Sequence, residues 1–117
     1  MNHLTETDIK TQLANLDDVQ IDERSTDSVV AYSLGGEIVA TVKNNSNPVA
    51  VSLRCDPNLA KLLRENYESV LEGQGLNKRH FITILLTGQL SDDDISDQIR
   101  HAYEETKAIL GDQSVAS

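Results

Sequence analysis

Apolar residues recur at intervals of three or four near the start of the chain, which is the spacing of an amphipathic helix. Ile9, Leu13 and Leu16 form this apolar stripe. Thr5 is followed three residues later by Asp8, a pairing typical of a capping box in which each side chain bonds the other residue's backbone N–H. The pattern predicts an N-terminal helix that begins after Thr5.

The same spacing returns near the end of the chain. Ser91 and Asp94 form a second potential capping box. Gly111 predicts the end of this C-terminal helix, because glycine adopts the left-handed conformation that closes many helices. The predicted buried stripe consists of Ile95, Ile99, Ala102, Tyr103, Thr106, Ile109 and Leu110.

A middle helix is predicted from Asp56-Pro57, which places a capping carboxylate before a proline at the first helical position. Leu59, Leu62 and Leu63 supply its apolar stripe. We expect this helix to end near Tyr67.

The remaining apolar runs are short and rich in β-branched residues, as in strands. Val29–Leu34 and Ile38–Val42 predict a β-hairpin around Gly35-Gly36-Glu37. A two-residue loop would mix large and small side chains on each face. We favour a three-residue loop with a bulge, which aligns Val30, Tyr32, Leu34, Ile38, Ala40 and Val42.

Two further strands follow. In the first, Val49, Val51 and Leu53 alternate with smaller or polar residues, so the next residue, Arg54, is expected to point outward. The second, Phe81–Leu86, is apolar on both alternate faces and predicts a central strand covered on each side. Short links between these elements favour an α+β fold, an antiparallel sheet packed with an N-terminal, a middle and a C-terminal helix. We expect residues 1–117 to form one domain with an ordered core of about residues 4–111.

Charge limits the partners that this chain is expected to bind. The 10 Lys and Arg residues are outnumbered by 19 Asp and Glu, for a formal net charge of -9. Such a charge repels nucleic acids at long range, so binding them requires a local basic patch. The sequence contains neither a signal peptide nor an apolar span, and Cys55 is the only cysteine. We therefore expect a cytoplasmic protein that lies outside the membrane.

Half of the Lys and Arg residues lie in the middle of the sequence: Arg54, Lys61, Arg64, Lys78 and Arg79. The acidic residues concentrate towards the two ends, which predicts a molecule with one basic and one acidic face. Interspersed acids in the middle segment leave a second interpretation, a solvated surface of mixed charge. The cysteine and the three histidines are scattered singly, so we expect no catalytic site, metal site or cofactor.

Several blocks of this sequence resemble the MmcQ/YjbR family. The blocks are Val51-Ser52-Leu53-Arg54-Cys55-Asp56-Pro57, Leu63-Arg64-Glu65-Asn66-Tyr67, Leu76-Asn77-Lys78-Arg79-His80-Phe81, His101-Ala102-Tyr103 and the hairpin Tyr32-Ser33-Leu34-Gly35-Gly36-Glu37. The resemblance implies a small α+β domain similar to frataxin-like and secretion-chaperone-like folds, with DNA binding as the family's expected activity. Phe81 stands where the family usually has tryptophan.

The leading expectation is a non-enzymatic DNA-binding module in which Arg54, Arg64, Lys78, Arg79 and His80 contact phosphates. The alternative for the same residues is structural, with Lys78 and Arg79 paired to acids of the last helix. A different class of function is a protein-interaction or chaperone-like adaptor that uses the acidic helical face or an exposed sheet. Its partner would be another protein.

Overall fold

The structure, a computed structural model, describes residues 4–73, 76–77 and 79–116, the last five by their backbone alone. It contains three helices, α1 (Glu6–Ala14), α2 (Pro57–Asn66) and α3 (Asp92–Ala116). The strands are β1 (Gln20–Ile21), β2 (Val29–Leu34), β3 (Glu37–Lys43), β4 (Ala50–Arg54), β5 (Val70–Glu72) and β6 (Phe81–Leu85). The α+β fold with an N-terminal, a middle and a C-terminal helix is therefore confirmed.

The six strands form one sheet in the order β1-β2-β3-β4-β6-β5, and every neighbouring pair is antiparallel. Strand β6 lies between β4 and β5, and its residues 81–84 are buried on both faces. The prediction of a central strand covered on each side is confirmed. The sequence pattern did not reveal β1 and β5, which contain two and three residues.

All three helices contribute to one core on a single face of the sheet. Ile9 from α1, Ala60 from α2 and Ile95 from α3 join strand residues such as Leu53 and Ile84 in one buried cluster. The opposite face carries a smaller cluster of Ala31, Ile38 and Phe81, with Leu76 packed against it. We call this second surface the helix-free face, because no helical side chain of the described residues joins its cluster.

The helix starts are those that the sequence predicts. Thr5 and Asp8 form the capping box of α1, with N–H to oxygen distances of 2.9 and 3.2 Å. Asp56 caps α2, and its carboxylate accepts from the N–H groups of Asn58 and Leu59. Ser91 and Asp94 form the reciprocal pair before α3. These caps satisfy backbone donors that the first turn of a helix leaves without partners.

The hairpin differs from the favoured register near its turn. Gly35 and Gly36 both have positive φ, so they close a two-residue loop in which Leu34 pairs with Glu37, and the predicted three-residue loop is wrong. The bulge lies inside the hairpin instead, where Val39 is the extra residue beside the Tyr32–Ala40 pair. Ile38 consequently faces the helix-free side rather than aligning with Tyr32.

Two predictions about the helices are also wrong. α3 continues through Gly111 to Ala116, because glycine in a helix costs only about 1 kcal/mol relative to alanine and does not by itself end it. In α2, Leu62 is exposed, and Ala60 is buried in its place with Leu59 and Leu63 beside it. The small Ala60 lets this face of α2 approach the core closely.

Candidate functional site

Arg54 at the end of β4 is held on the helix-free face, and only 11% of its side chain is exposed. Its Nε donates to the backbone carbonyl of Ile38 at 2.8 Å, and Nη2 lies 3.5 Å from a carboxylate oxygen of Glu37. The guanidinium stacks over the ring of Phe81, 4.6 Å from the centroid. As predicted, Arg54 points away from the helical core, but Phe81 from the neighbouring strand covers it, so little of its side chain reaches solvent.

Burial lowers the pKa of Arg54 from its usual value, and the carboxylates of Glu37 and Glu105 oppose this shift. An arginine with a reference pKa above 12 keeps its charge at neutral pH despite such a shift. The charge is balanced within the protein by Glu37 and the ring of Phe81. Arg54 thus acts as part of the packing between β3, β4 and β6.

Arg64 lies in the last turn of α2 and is partly buried. Its Nη1 atom is buried and has no hydrogen-bond partner among the described residues. The buried Nη1 places part of the guanidinium inside the protein, and its positive charge opposes the rise in the pKa of the Cys55 thiol.

Arg79 and His80 are exposed on the turn that precedes β6. The side-chain oxygen of Asn77 accepts from the backbone N–H of Arg79 at 2.9 Å, which shapes this turn. Lys78, the fifth predicted contact, lies outside the described residues. Of the four described members of the predicted phosphate-binding group, Arg79 and His80 present exposed side chains, whereas Arg54 and Arg64 are drawn into the protein.

Cys55 follows β4 directly and is 2% exposed. Burial, with smaller contributions from the carboxylates of Asp56 and Glu105, raises the pKa of its thiol to about 12. The side chain of nearby His101 accepts through Nε2 from the backbone N–H of Asp56 at 3.2 Å. The same nitrogen lies 3.9 Å from a carboxylate oxygen of Glu105. A protonated, buried thiol is a poor nucleophile.

The helix-free face contains a pocket of about 530 Å³. It lies beside the start of β4 and the ends of β3 and β6, at Ala50, Lys43 and Leu85. Arg54 stands four residues along β4 from Ala50, about 13 Å at the usual strand rise, and does not line the pocket. The described lining residues are Thr26, Val29, Thr41, Lys43, Ser46, Pro48, Ala50, Ser52, Leu71, Leu76, Thr83 and Leu85.

The lining combines aliphatic side chains with hydroxyl groups. Ser52 and Thr83 face each other across β4 and β6, and their hydroxyls are 2.8 Å apart. Because both residues are buried, this bond satisfies polar atoms beneath the pocket that would otherwise be costly to desolvate. Lys43 is the one charged residue among the described lining residues.

The pattern of apolar and polar residues does not directly predict this pocket. Its strand residues are those that alternate with the core positions, such as Ala50 and Ser52 beside Val51. The one feature of the sequence that could have indicated the pocket is the small size of the residues at four such positions: Thr41, Ala50, Ser52 and Thr83. They leave space that larger side chains would fill.

The acidic helical face lies on α3, where Asp93, Asp94, Asp97 and Glu104 are exposed. In the part of the chain that is described, His, Cys, Asp and Glu do not gather in a group of three that could hold a metal ion. None of the described helices has the length and apolar character needed to cross a membrane.

Comparison with known proteins relates this geometry to a family. A family model described as YjbR matches residues 14–105, a range that contains the pocket lining and all five predicted phosphate contacts. The uncharacterised protein YjbR of Escherichia coli K12 is 36% identical over 76 residues, which is 65% of this chain and 64% of that protein. The match therefore spans less than two thirds of the relative's length.

Two crystal structures share the fold. Protein DR2400 of Deinococcus radiodurans, with a domain described as DUF419, superposes with a TM-score of 0.78 at 23% identity, covering 85% of this chain and 75% of that one. A protein from Pseudomonas syringae gives a TM-score of 0.72 at 19% identity, covering 88% of this chain and 99% of the other.

Proposed function

Because this chain belongs to the YjbR family, whose Escherichia coli relative is described as uncharacterised, we propose its function from the geometry of its own sheet. The proposal is a binding protein without catalytic activity, which holds a small molecule in the pocket on the helix-free face. The observation that carries it is the concave cavity of about 530 Å³ with a mainly aliphatic and hydroxyl lining.

The dimensions and chemistry of the pocket support a small-molecule ligand. Ligand sites are concave, mostly apolar and about 300–1,000 Å³ in volume, with a few polar groups that orient the ligand. Leu71, Leu76 and Leu85 supply apolar surface, while Thr41 and Thr26 bring hydroxyl groups. Leu71, Leu85 and Thr41 are held by hydrogen-bonded antiparallel strands, and a preformed site loses less entropy when a ligand binds.

The lining also supports binding rather than catalysis. General acid–base chemistry needs a His, Asp, Glu or similar group within hydrogen-bond reach of the ligand. The one charged side chain in the described lining is Lys43, which has no His, Cys, Asp, Glu or Tyr beside it in the lining to share a proton transfer, and the Ser52 hydroxyl is engaged by Thr83. Cys55 lies outside the lining, and its raised pKa keeps it protonated.

Filling the pocket tests this proposal. The probe is anilinonaphthalene sulfonate, a dye whose fluorescence rises in apolar surroundings. We expect saturable, one-to-one binding to the native protein and its loss in Ala50→Phe or in Thr41→Phe, because either phenylalanine occupies the cavity. The matched control is Ala108→Phe at an exposed position of α3, which should bind as the native protein does. Thermal unfolding verifies that each variant is folded.

Two results would contradict the proposal. One is the absence of saturable binding by the folded native protein. The other is equal binding by folded Ala50→Phe, folded Thr41→Phe and the Ala108→Phe control, which would place the dye elsewhere.

DNA contact is the second candidate function, favoured by the exposed, adjacent side chains of Arg79 and His80. With Arg54 and Arg64 turned inward, few phosphates would be neutralised, so the affinity would be low and would fall only gradually as salt is added. Fluorescence anisotropy of a labelled DNA duplex at low and physiological salt tests this candidate. Arg79→Ala should lose the binding, whereas Arg100→Ala on the exposed surface of α3 should retain it. If Arg79→Ala and Arg100→Ala bind DNA equally well, a DNA contact at Arg79 and His80 is contradicted.

A further inference from the structure

The pocket on the helix-free face differs in polarity from one side to the other. Lys43 and Thr41 lie on β3, whereas Leu85 lies on β6 and Leu71 on β5. The strand order β3-β4-β6-β5 separates the first pair from Leu71 by three inter-strand steps, or about 14 Å at the usual spacing. The cavity therefore crosses the strands, with a cationic side at β3 and an aliphatic side at β5.

The aliphatic side is built from Leu71, Leu76 and Leu85. Leu71 is 38% exposed, which leaves part of its surface available to a ligand. Covering such surface is favourable by about 25 cal/mol per Å². An alkyl or similar apolar group is the complementary chemistry.

The opposite side is defined by Lys43. Its side chain is exposed and makes no ion pair or hydrogen bond with another described residue. No carboxylate is present among the described lining residues to neutralise it. A lysine at the rim of an apolar cavity can lay its aliphatic stem along the wall while its ammonium remains in water. An anionic group of the ligand is the complement at this end.

Resting on the proposed binding function of the pocket, we infer that the ligand is an elongated amphipathic carboxylate. Its apolar chain lies over Leu71, Leu76 and Leu85, and its carboxylate meets the ammonium of Lys43. The Thr41 hydroxyl, on the same strand as Lys43, is placed to donate to a carboxylate oxygen. The pocket thereby distinguishes an acid from an uncharged molecule of the same length.

Octanoate and octanol test this distinction, because they share a chain length and differ in the charge of the head group. Isothermal titration calorimetry at pH 7 and low salt gives the affinity of each for the native protein. We expect octanoate to bind about three- to tenfold more tightly than octanol, as for a partly solvated ion pair. In Lys43→Gln the affinities for octanoate and octanol should differ by less than about twofold, because the substitution removes only the contact with the charged head group.

Two control variants locate the effect. Lys61→Gln removes an exposed lysine of α2 that does not line the pocket, and it should retain the preference for octanoate. Ala50→Phe should weaken both ligands, because it fills the cavity that their chains share. Thermal unfolding again verifies that the variants are folded.

The outcomes separate the two proposals. Equal affinities of the native protein for octanoate and octanol, with both weakened by Ala50→Phe, would overturn the carboxylate inference and leave the pocket as a binding site. The carboxylate inference would also be overturned if Lys43→Gln kept the preference for octanoate, or if Lys61→Gln removed it. Binding of neither compound, or binding that folded Ala50→Phe leaves unchanged, would overturn the ligand assignment. Absence of saturable dye binding by the folded native protein is the separate result that would contradict the pocket itself.

Discussion

Arg54 is a residue of the kind that contacts phosphates, but its contacts within the protein stabilise the fold. Its Nε–H bond to Ile38 and its stacking on Phe81 join three strands. Arg54→Ala should destabilise the protein by about 2 kcal/mol, because it leaves the partly buried carbonyl of Ile38 without its donor and removes the stacked side chain. Arg79→Ala, on the exposed turn, should change stability by less than about 0.5 kcal/mol. Urea unfolding measures both, and equal effects would contradict the structural role of Arg54.

Asp22 is one of several acidic residues in the N-terminal region, and the sequence pattern alone does not distinguish it from the others. The Arg24 side chain contacts both of its carboxylate oxygens, at 2.6 and 2.8 Å, and the backbone N–H of Arg24 donates to it as well. The Arg24 side-chain hydrogen bonds are the largest cause that lowers the pKa of Asp22 well below its usual value. The carboxylate is therefore stabilised in the folded protein.

This shift predicts a pH dependence. A lowered folded-state pKa adds stability above the unfolded pKa of about 3.9, and that stability is lost as pH falls towards the folded value. Asp22→Asn should therefore be less stable than the native protein at pH 7, and the difference should shrink below about pH 4. Urea unfolding at pH 7, 4 and 3 measures the difference. A difference that is constant across this range would contradict the role of the charge.

At the scale of secondary structure, the elements that local sequence determines were predictable. Each helix start depends on residues two or three positions apart, as in Thr5 with Asp8 or Asp56 before Pro57. Strands β1 and β5 were missed because two or three residues carry too little periodicity, and pairing with β2 and β6 defines them instead. The position of the bulge at Val39 also follows from tertiary packing, which buries that side chain completely.

The hairpin turn offers a matched pair of substitutions. Gly35 and Gly36 both have positive φ, but a Cβ on Gly35 would lie 3.0 Å from Leu110 of α3, whereas a Cβ on Gly36 would meet no atom within 4 Å. Gly36→Ala should cost about 1–2 kcal/mol from the backbone conformation alone. Gly35→Ala should cost more, since Leu110 must also shift. Chemical denaturation compares the two, and a smaller cost for Gly35→Ala would contradict the packing of α3 against this turn.

For the molecule as a whole, the sequence predicted the fold class but only part of the candidate site. Arg79 and His80 are exposed as a surface site requires, while Arg54 is covered by Phe81, a residue distant in the sequence. The pocket was beyond prediction because it exists only where small residues of several strands lie side by side on the face that the helices leave uncovered. The role of the acidic face of α3 in binding another protein stays a prediction.

The most direct test of the pocket as a ligand site is nuclear magnetic resonance of the ¹⁵N-labelled protein during a titration with octanoate. We expect saturable shifts of the backbone amides of Lys43, Ser52 and Thr83, with little change at Ile95 and Ile99 of α3. Shifts that concentrate on the helices, or that grow without saturation across the whole surface, would contradict the pocket as a ligand site.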